Sequence, residues 1–196
     1  MKSYSQALKI LKENKIEIDD ENINSSESFN RVSSVNIYAN LDYPSANNAS
    51  FDGYAIQSKD TNKLDNKINQ KFKIVGSIAA GDKPIRKKIK KFETVEIMTG
   101  ALIPKSFDTI IPIEQINFYP NKKKARYILL NKKVPKFEYV RFKGSDFKKG
   151  DILISKGTIL QSSHILALKT LGIKKVKVKK KPNILFFSTG NEITNK

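Results

Sequence analysis

Apolar residues at Ala7, Leu8, Ile10 and Leu11 recur at helical spacing behind Ser3 and Gln6, which stand at capping-box separation. One amphipathic helix is predicted, ending near Asn14. The stretch 19–28 is polar, and Phe29-Asn30-Arg31-Val32 and Val35-Asn36-Ile37-Tyr38 lead into a loop that begins at Pro44. From Phe72 onward the pattern changes to short extended runs broken by Gly and Pro, the mark of a β-rich module. The runs are 72–78, 94–98, 109–113 and 126–130, with shorter ones at 139–142 and 151–154. Ser162 or Ser163 is placed to cap a helix through Ile165, Leu166, Leu168 and Leu171, with Gly172 as its stop. Val176 and Val178 alternate with lysines as a half-exposed strand. Pro182 then precedes Ile184-Leu185-Phe186-Phe187, a continuous apolar run expected of a buried parallel strand. Such a strand takes its neighbours from crossover connections, so the chain is expected to be cut at the opening of an α/β domain.

Composition narrows the chemistry. A chain of 196 residues with 39% hydrophobic and 29% charged content suits one large folded domain or two small ones rather than disorder. No run reaches the roughly 18 apolar residues of a membrane span, and the N-terminus lacks a signal h-region, so a cytoplasmic protein is expected. With no cysteine and only His164, disulfides, thiolate metal sites, histidine zinc sites and a Ser-His-Asp triad are excluded. Catalysis would rest on carboxylates, hydroxyls, lysines and backbone amides. The formal charge is +18, but 33 of the 37 basic residues are lysines spread among abundant Asn and Ile. The densest runs, at 86–91, 122–124 and 174–181, lack the interleaved aromatics of a single-strand groove, so a solvated basic surface is expected over a nucleic-acid face.

Three segments carry candidate chemistry. In the first, residues 42–55, Pro44 stiffens the loop, and Gly53 is expected to take a backbone angle that other residues resist. Asp52 is then presented from a turn, where a carboxylate can bind a hard cation or orient water. An isolated Asp-Gly would be merely a β-turn. In the second, Glu96-Ile97-Met98-Thr99-Gly100-Ala101-Leu102-Ile103-Pro104, a strand ends in a Thr-Gly turn expected to leave a hydroxyl and free amides for an anion. Alone, this is an ordinary strand exit. The third is Arg141-Phe142-Lys143-Gly144-Ser145-Asp146 with Lys149-Gly150-Asp151.

Taken in order, these segments resemble the molybdopterin molybdenumtransferase family, MoeA and the gephyrin E domain. Asp42, Pro44, Asn48, Asp52, Gly53, Tyr54 and Ala55 match D-x-P-x-x-D-N-S-A-M-D-G-Y-A, and 96–104 is similar to R-I-M-T-G-A-x-x-P. Residues 141–150 are similar to R-x-x-G-E-D-I-x-x-G, Leu171-Gly172-Ile173 to a helix-closing L-G-I, and 182–192 to R-P-x-V-x-x-x-S-T-G-D-E. The similarity runs from about Tyr4 to Glu192. Ala49, Ser145 and Asn191 depart from the patterns, the last two replacing acids.

The resemblance implies a mixed α+β fold: an elongated α/β body from 1–44 and 141–181, an inserted β-rich domain at 45–140, and at 182–196 the truncated start of an α/β molybdopterin-binding domain. It implies insertion of molybdate into adenylylated molybdopterin with Mg2+ or another divalent cation. Asp52, Asp146 and Glu192 would be catalytic and metal-holding, with Ser50, Gly53, Tyr54, Thr99 and Gly100 contacting substrate. The implied partners are a second copy in a homodimer and the molybdopterin adenylyltransferase. The family's S-G-G-V-S, P-G-K-P and L-P-G-N-P segments do not occur here, so this chain alone is expected to be inactive. A non-catalytic binding or scaffold module of the same fold and a basic nucleic-acid binder are the alternatives.

Overall fold

Ser3 starts the first helix as its spacing predicts: its Oγ accepts from Gln6 N at 3.3 Å and its own N–H donates to Gln6 Oε1 at 2.9 Å. In the computed structural model, which describes residues 2–14, 16–83, 85, 88–185 and 187, this helix is α1 (Tyr4–Glu13), with Asn14 as its C-cap. It buries none of its own residues. The strands that follow are β1 (Asp20–Asn24), β2 (Ile37–Tyr38), β3 (Asn48–Ala49), β4 (Gly53–Ile56), β5 (Asp65–Ile78) and β6 (Glu93–Ile97). Next come β7 (Thr109–Pro112), β8 (Asn117–Tyr119), β9 (Tyr127–Lys132), β10 (Val140–Arg141) and β11 (Ile152–Ile154), then helix α2 (Ser162–Thr170) and β12 (Lys175–Lys179). No helix among the described residues is long and apolar enough to cross a membrane.

The fold is mixed and dominated by sheet, and the chain divides into two units, Met1–Asn40 with Asp151–Lys196, and Leu41–Gly150. In the first unit β1 pairs antiparallel with β12, and β2 with β11. The alternation of Val176 and Val178 with lysines turns both valines inward onto Ile37, Ile154, Leu160 and Leu168. Arg31 ties this sheet to the preceding chain: it pairs with Glu21 and donates from Nη2 to the Lys179 carbonyl at 2.6 Å. The polar stretch 19–28, which carries no strand pattern of its own, contains β1 because its pairing comes from β12, more than 150 residues later in sequence. Strand formation there follows the partner rather than local hydrophobicity.

Two readings are corrected. The cap of α2 is Gln161, not Ser162 or Ser163; its N–H donates to His164 Nδ1 at 3.0 Å, so the single histidine is a helix-capping residue. The helix does stop at Gly172, at φ +67°. Ile184, Leu185 and Phe187 lie in no strand and are exposed, since no described strand pairs with them to supply ladder hydrogen bonds.

The second unit holds a six-stranded sheet in the order β7-β4-β6-β5-β9-β8, antiparallel except at β5–β6. One cluster packs Ala55, Ile78, Val95, Ile97, Phe107 and Ile110; another packs Tyr54, Ile56, Phe72, Ile111, Ile128 and Leu130. Each large side chain buried here contributes about 1.5–3 kcal/mol. β4 is buried at every position, which fixes the chain that enters it from the Asp52 turn.

Candidate functional site

Residues 42–50 are tied down twice. Asp42 Oδ1 accepts from Lys149 N at 2.9 Å and its Oδ2 lies 3.2 Å from Lys143 Nζ. Gly144 N donates to the Pro44 carbonyl at 2.9 Å and Asp146 N to that of Tyr43 at 3.0 Å. The Lys149 amide first, then Lys143, holds the Asp42 carboxyl below its ordinary range. Further on, Gly100 N donates to Ala49 O at 2.9 Å, Ala49 N to Ala101 O at 3.0 Å, and Asn48 Nδ2 to Gly100 O at 3.1 Å. The first sequence segment is therefore laced to both of the others.

Asp52 lies at the end of this lacing. Its Oδ1 accepts two bonds from Thr99, from the backbone N–H and from Oγ1–H, each 2.7 Å. Those two donors, the amide first, hold its carboxyl below the ordinary 3.8. No hydrogen bond reaches Oδ2 among the described residues. The structure thus joins the first two segments at one carboxylate, across 47 residues of sequence.

Two local expectations change. The Thr-Gly turn does not leave amides free, because Thr99 N serves Asp52, Gly100 N serves Ala49 and Ala101 N donates to Met98 O at 3.0 Å. It mounts a carboxylate instead of cradling an anion, and Gly100, at φ +81°, permits the turn. Gly53, by contrast, has no positive φ; a Cβ there would meet Ile111 O at 2.0 Å. Glycine is required at 53 for close approach of β7 to β4, not for a backbone angle.

Asp146 sits in a different setting. Its Oδ2 pairs with the Arg141 guanidinium and its Oδ1 accepts from Ser145 Oγ at 3.2 Å, so both oxygens have protein partners. Ser50 follows the laced segment, with its N–H on Tyr139 O at 3.0 Å. Tyr54 is buried, its ring edge-on to Phe118 at 6.0 Å; burial and the adjacent Glu96 push its hydroxyl pKa up. Glu192 lies outside the described residues.

The sequence pattern marks Asn48 as a match but gives neither Asn47 nor Asn48 a bracing role. Asn47 Oδ1 accepts from Lys143 N at 2.9 Å, while the buried Asn48 Oδ1 has no partner among the described residues. Their partners stand far away in sequence, so no local signal marks that role. A cavity of about 830 Å³ opens beside Asn47 and Leu102, rimmed by Lys83, Lys88 and Lys105, and neither Asp52 nor Asp146 lines it.

Among the described residues no group of three or more acidic or histidine side chains could hold a metal ion by itself. A magnesium ion, however, commonly takes one or two carboxylates and completes its shell with water and substrate phosphates. Asp52 fits that pattern through its free Oδ2. Asp146 would first have to release Arg141 or Ser145.

The comparisons agree with the motif order. The family described as the MoeA N-terminal region (domain I and II) matches residues 2–172. A molybdopterin molybdenumtransferase of Staphylococcus epidermidis is 31% identical over 191 residues, covering 97% of this chain and 44% of that protein. Another from Staphylococcus aureus is 31% identical over 167 residues, covering 85% of this chain and 38% of its own length. Two crystal structures of the molybdopterin biosynthesis MoeA protein from Pyrococcus horikoshii align with TM-scores of 0.76 and 0.80 at 31% and 32% identity. Each alignment covers 91% of this chain, against 44% and 46% of the solved chains. The chain spans less than half the length of these relatives, and by its matched segments and its fold it belongs to the MoeA N-terminal region family.

Proposed function

We propose that this chain is the N-terminal part of a cytoplasmic molybdopterin molybdenumtransferase, which inserts molybdate into adenylylated molybdopterin and releases molybdenum cofactor and AMP. The observation that carries the proposal is the Asp52 mount: two neutral donors from Thr99 fix one oxygen and leave the other free. This suits a group that must stay ionised and face one way. A bound divalent cation, Mg2+ for instance, would neutralise phosphate charge in the adenylate and polarise its phosphorus. Asp52 would hold it through Oδ2 or orient the attacking water. Thr99 keeps Asp52 ionised and in place, Gly100 allows the turn, and Ser50 and Gly53 border the same carboxylate in sequence. Asp146, kept by Arg141, and Glu192 are proposed as the further acids, while Tyr54 supports the turn from the core. The lysine-rich surface would raise the local concentration of the polyanionic substrate.

The proposal extends to architecture: an α/β body interrupted by a β-rich domain and followed by a third, molybdopterin-binding α/β domain. It also includes a homodimer whose active site combines the β-rich domain of one protomer with the third domain of the other, and hand-over of substrate from the adenylyltransferase. The test uses the complete protein. Mixed dimers of Asp52→Asn and Glu192→Gln should regain molybdenum insertion when each variant alone is inactive, because one site inherits both defects and the other neither. Absence of recovery in verified mixed dimers rejects the shared site. Full activity of Asp52→Asn alone rejects the role of the mount.

A further inference from the structure

The outer face of β5, β9 and β8 gathers what the lysine runs lack in sequence. Phe72, Ile128 and Leu130 point into the core, so alternation turns Lys71, Lys73, Tyr127 and Leu129 to the opposite side. Register sets Lys73 against Tyr127 and Tyr127 against Tyr119 in one row across the three strands. The neighbouring row sets Lys71 against Leu129 and Leu129 against Asn117. The two tyrosine rings meet edge to face at 6.3 Å, and Lys71 Nζ stands 3.8 Å from the centroid of Tyr119. That ring therefore turns a π-face toward the lysines. Lys71, Lys73, Asn117 and Tyr119 are exposed, and the turn from β8 to β9 adds the exposed Lys122, Lys123 and Lys124. None of these lysines has an ion pair among the described residues. Glu93, the register neighbour of Lys73 on β6, accepts instead from Lys90 N at 2.8 Å.

Unpaired cations draw a phosphate backbone, and aromatic faces on a sheet surface stack bases that are not already paired. Duplex hides those base faces. We propose that this sheet face binds single-stranded nucleic acid without sequence preference, with one base stacked on Tyr119 in the place now taken by Lys71. A second base rests on Tyr127, and the displaced Lys71, with Lys73 and the lysines of the turn, contacts phosphates. Charge and aromatic surface are both required: the β8–β9 hairpin sets Tyr119 and Tyr127 beside Lys122, Lys123 and Lys124, and the pairing of β5 with β9 adds Lys71 and Lys73.

The test is fluorescence anisotropy with labelled oligo(dT) and oligo(rU) of about 12 residues, a length within the usual single-strand site range. Both should bind at low salt. Tyr119→Leu should weaken binding about 5-fold or more, and adding Tyr127→Leu should weaken it further, since each stacked base is worth that much. Lys71→Gln with Lys73→Gln should lower the log–log salt slope by about 1.4. Tyr119 is 44% exposed, so its substitution should leave the circular dichroism spectrum unchanged and lower the melting temperature only slightly through loss of its Tyr127 and Lys71 contacts, and this variant decides the matter if the double one unfolds. Binding of only one oligonucleotide supports the face and names DNA or RNA as its source. The proposal is overturned by no binding at low salt, by tyrosine variants that bind as well as the parent, or by inorganic polyphosphate or duplex competing equally.

Discussion

The Asp52 turn and the Asp146 loop both present a motif carboxylate from a glycine-containing bend, yet they treat its charge in opposite ways. Asp52 is held by two neutral donors of one residue and keeps a full negative charge with a free oxygen. Asp146 is met by Arg141 and Ser145, so its charge is compensated within its own loop. A sequence motif fixes that an acid is present; the neighbours decide whether it can work on a cation or steady a loop. The backing differs as well. The Asp52 turn leads into β4, buried at every position, while the Asp146 loop returns to the half-exposed strap of residues 42–47, at Asp42, Tyr43, Pro44 and Asn47.

That contrast fails first at Gly53 if it fails anywhere. Gly53→Ala drives a Cβ into the Ile111 carbonyl, 2.0 Å away, and should destabilise the unit by about 3 kcal/mol, read as a lower denaturant midpoint at unchanged slope. An unshifted midpoint would mean that the spacing of β4 and β7 does not set the turn. Gly100→Ala should cost less, about 1–2 kcal/mol, because φ +81° is strained for alanine while the nearest side-chain atom is an ordinary 3.8 Å away. Retention of the parent midpoint would show that the Thr99 turn relaxes freely.

The Asp146 side should be softer. Arg141→Gln should cost no more than about 1 kcal/mol, since the Arg141 side chain is 47% exposed and water screens the pair. The same loss should shrink toward zero in about 1 M salt, where the Debye length is about 3 Å. The smallest effect belongs to titration. Followed by carboxyl carbon NMR, Asp52 should titrate below 3.8, and Thr99→Val should bring the midpoint only part of the way back, because the amide, the larger cause, remains. The sign follows from linkage: the Asp52 bonds contribute stability above the unfolded carboxylate range of about 4 and lose it as pH falls through the lower folded value. A midpoint at or above 3.8 in the parent chain would remove the mount from the comparison.

Much of the strand pattern was readable because hydrophobic alternation and turn residues act locally. The runs at 72–78, 94–98 and 109–113 correspond to β5, β6 and β7, and the Ser3 box and Gly172 stop bound their helices as read. β1 was not readable, since its polar residues pair only because β12 arrives beside them. Ile184, Leu185 and Phe187 form no strand, because apolar character by itself supplies no ladder partner. Asp52, Thr99 and Gly100 could be marked individually, but the bond from Thr99 to Asp52 could not, nor the capture of the Gly100 amide by Ala49.

By itself the sequence determined the residue types open to chemistry, the order of the family's segments and the local starts and stops of its elements, all of which follow from side-chain inventory and backbone preference over a few residues. Tertiary structure decided which carboxylate keeps an oxygen free, why position 53 must be glycine, and that Lys71 and Lys73 join Tyr119 and Tyr127. Each of these depends on atoms within a few ångströms in space but far apart along the chain, and strand pairing alone sets which residues those are.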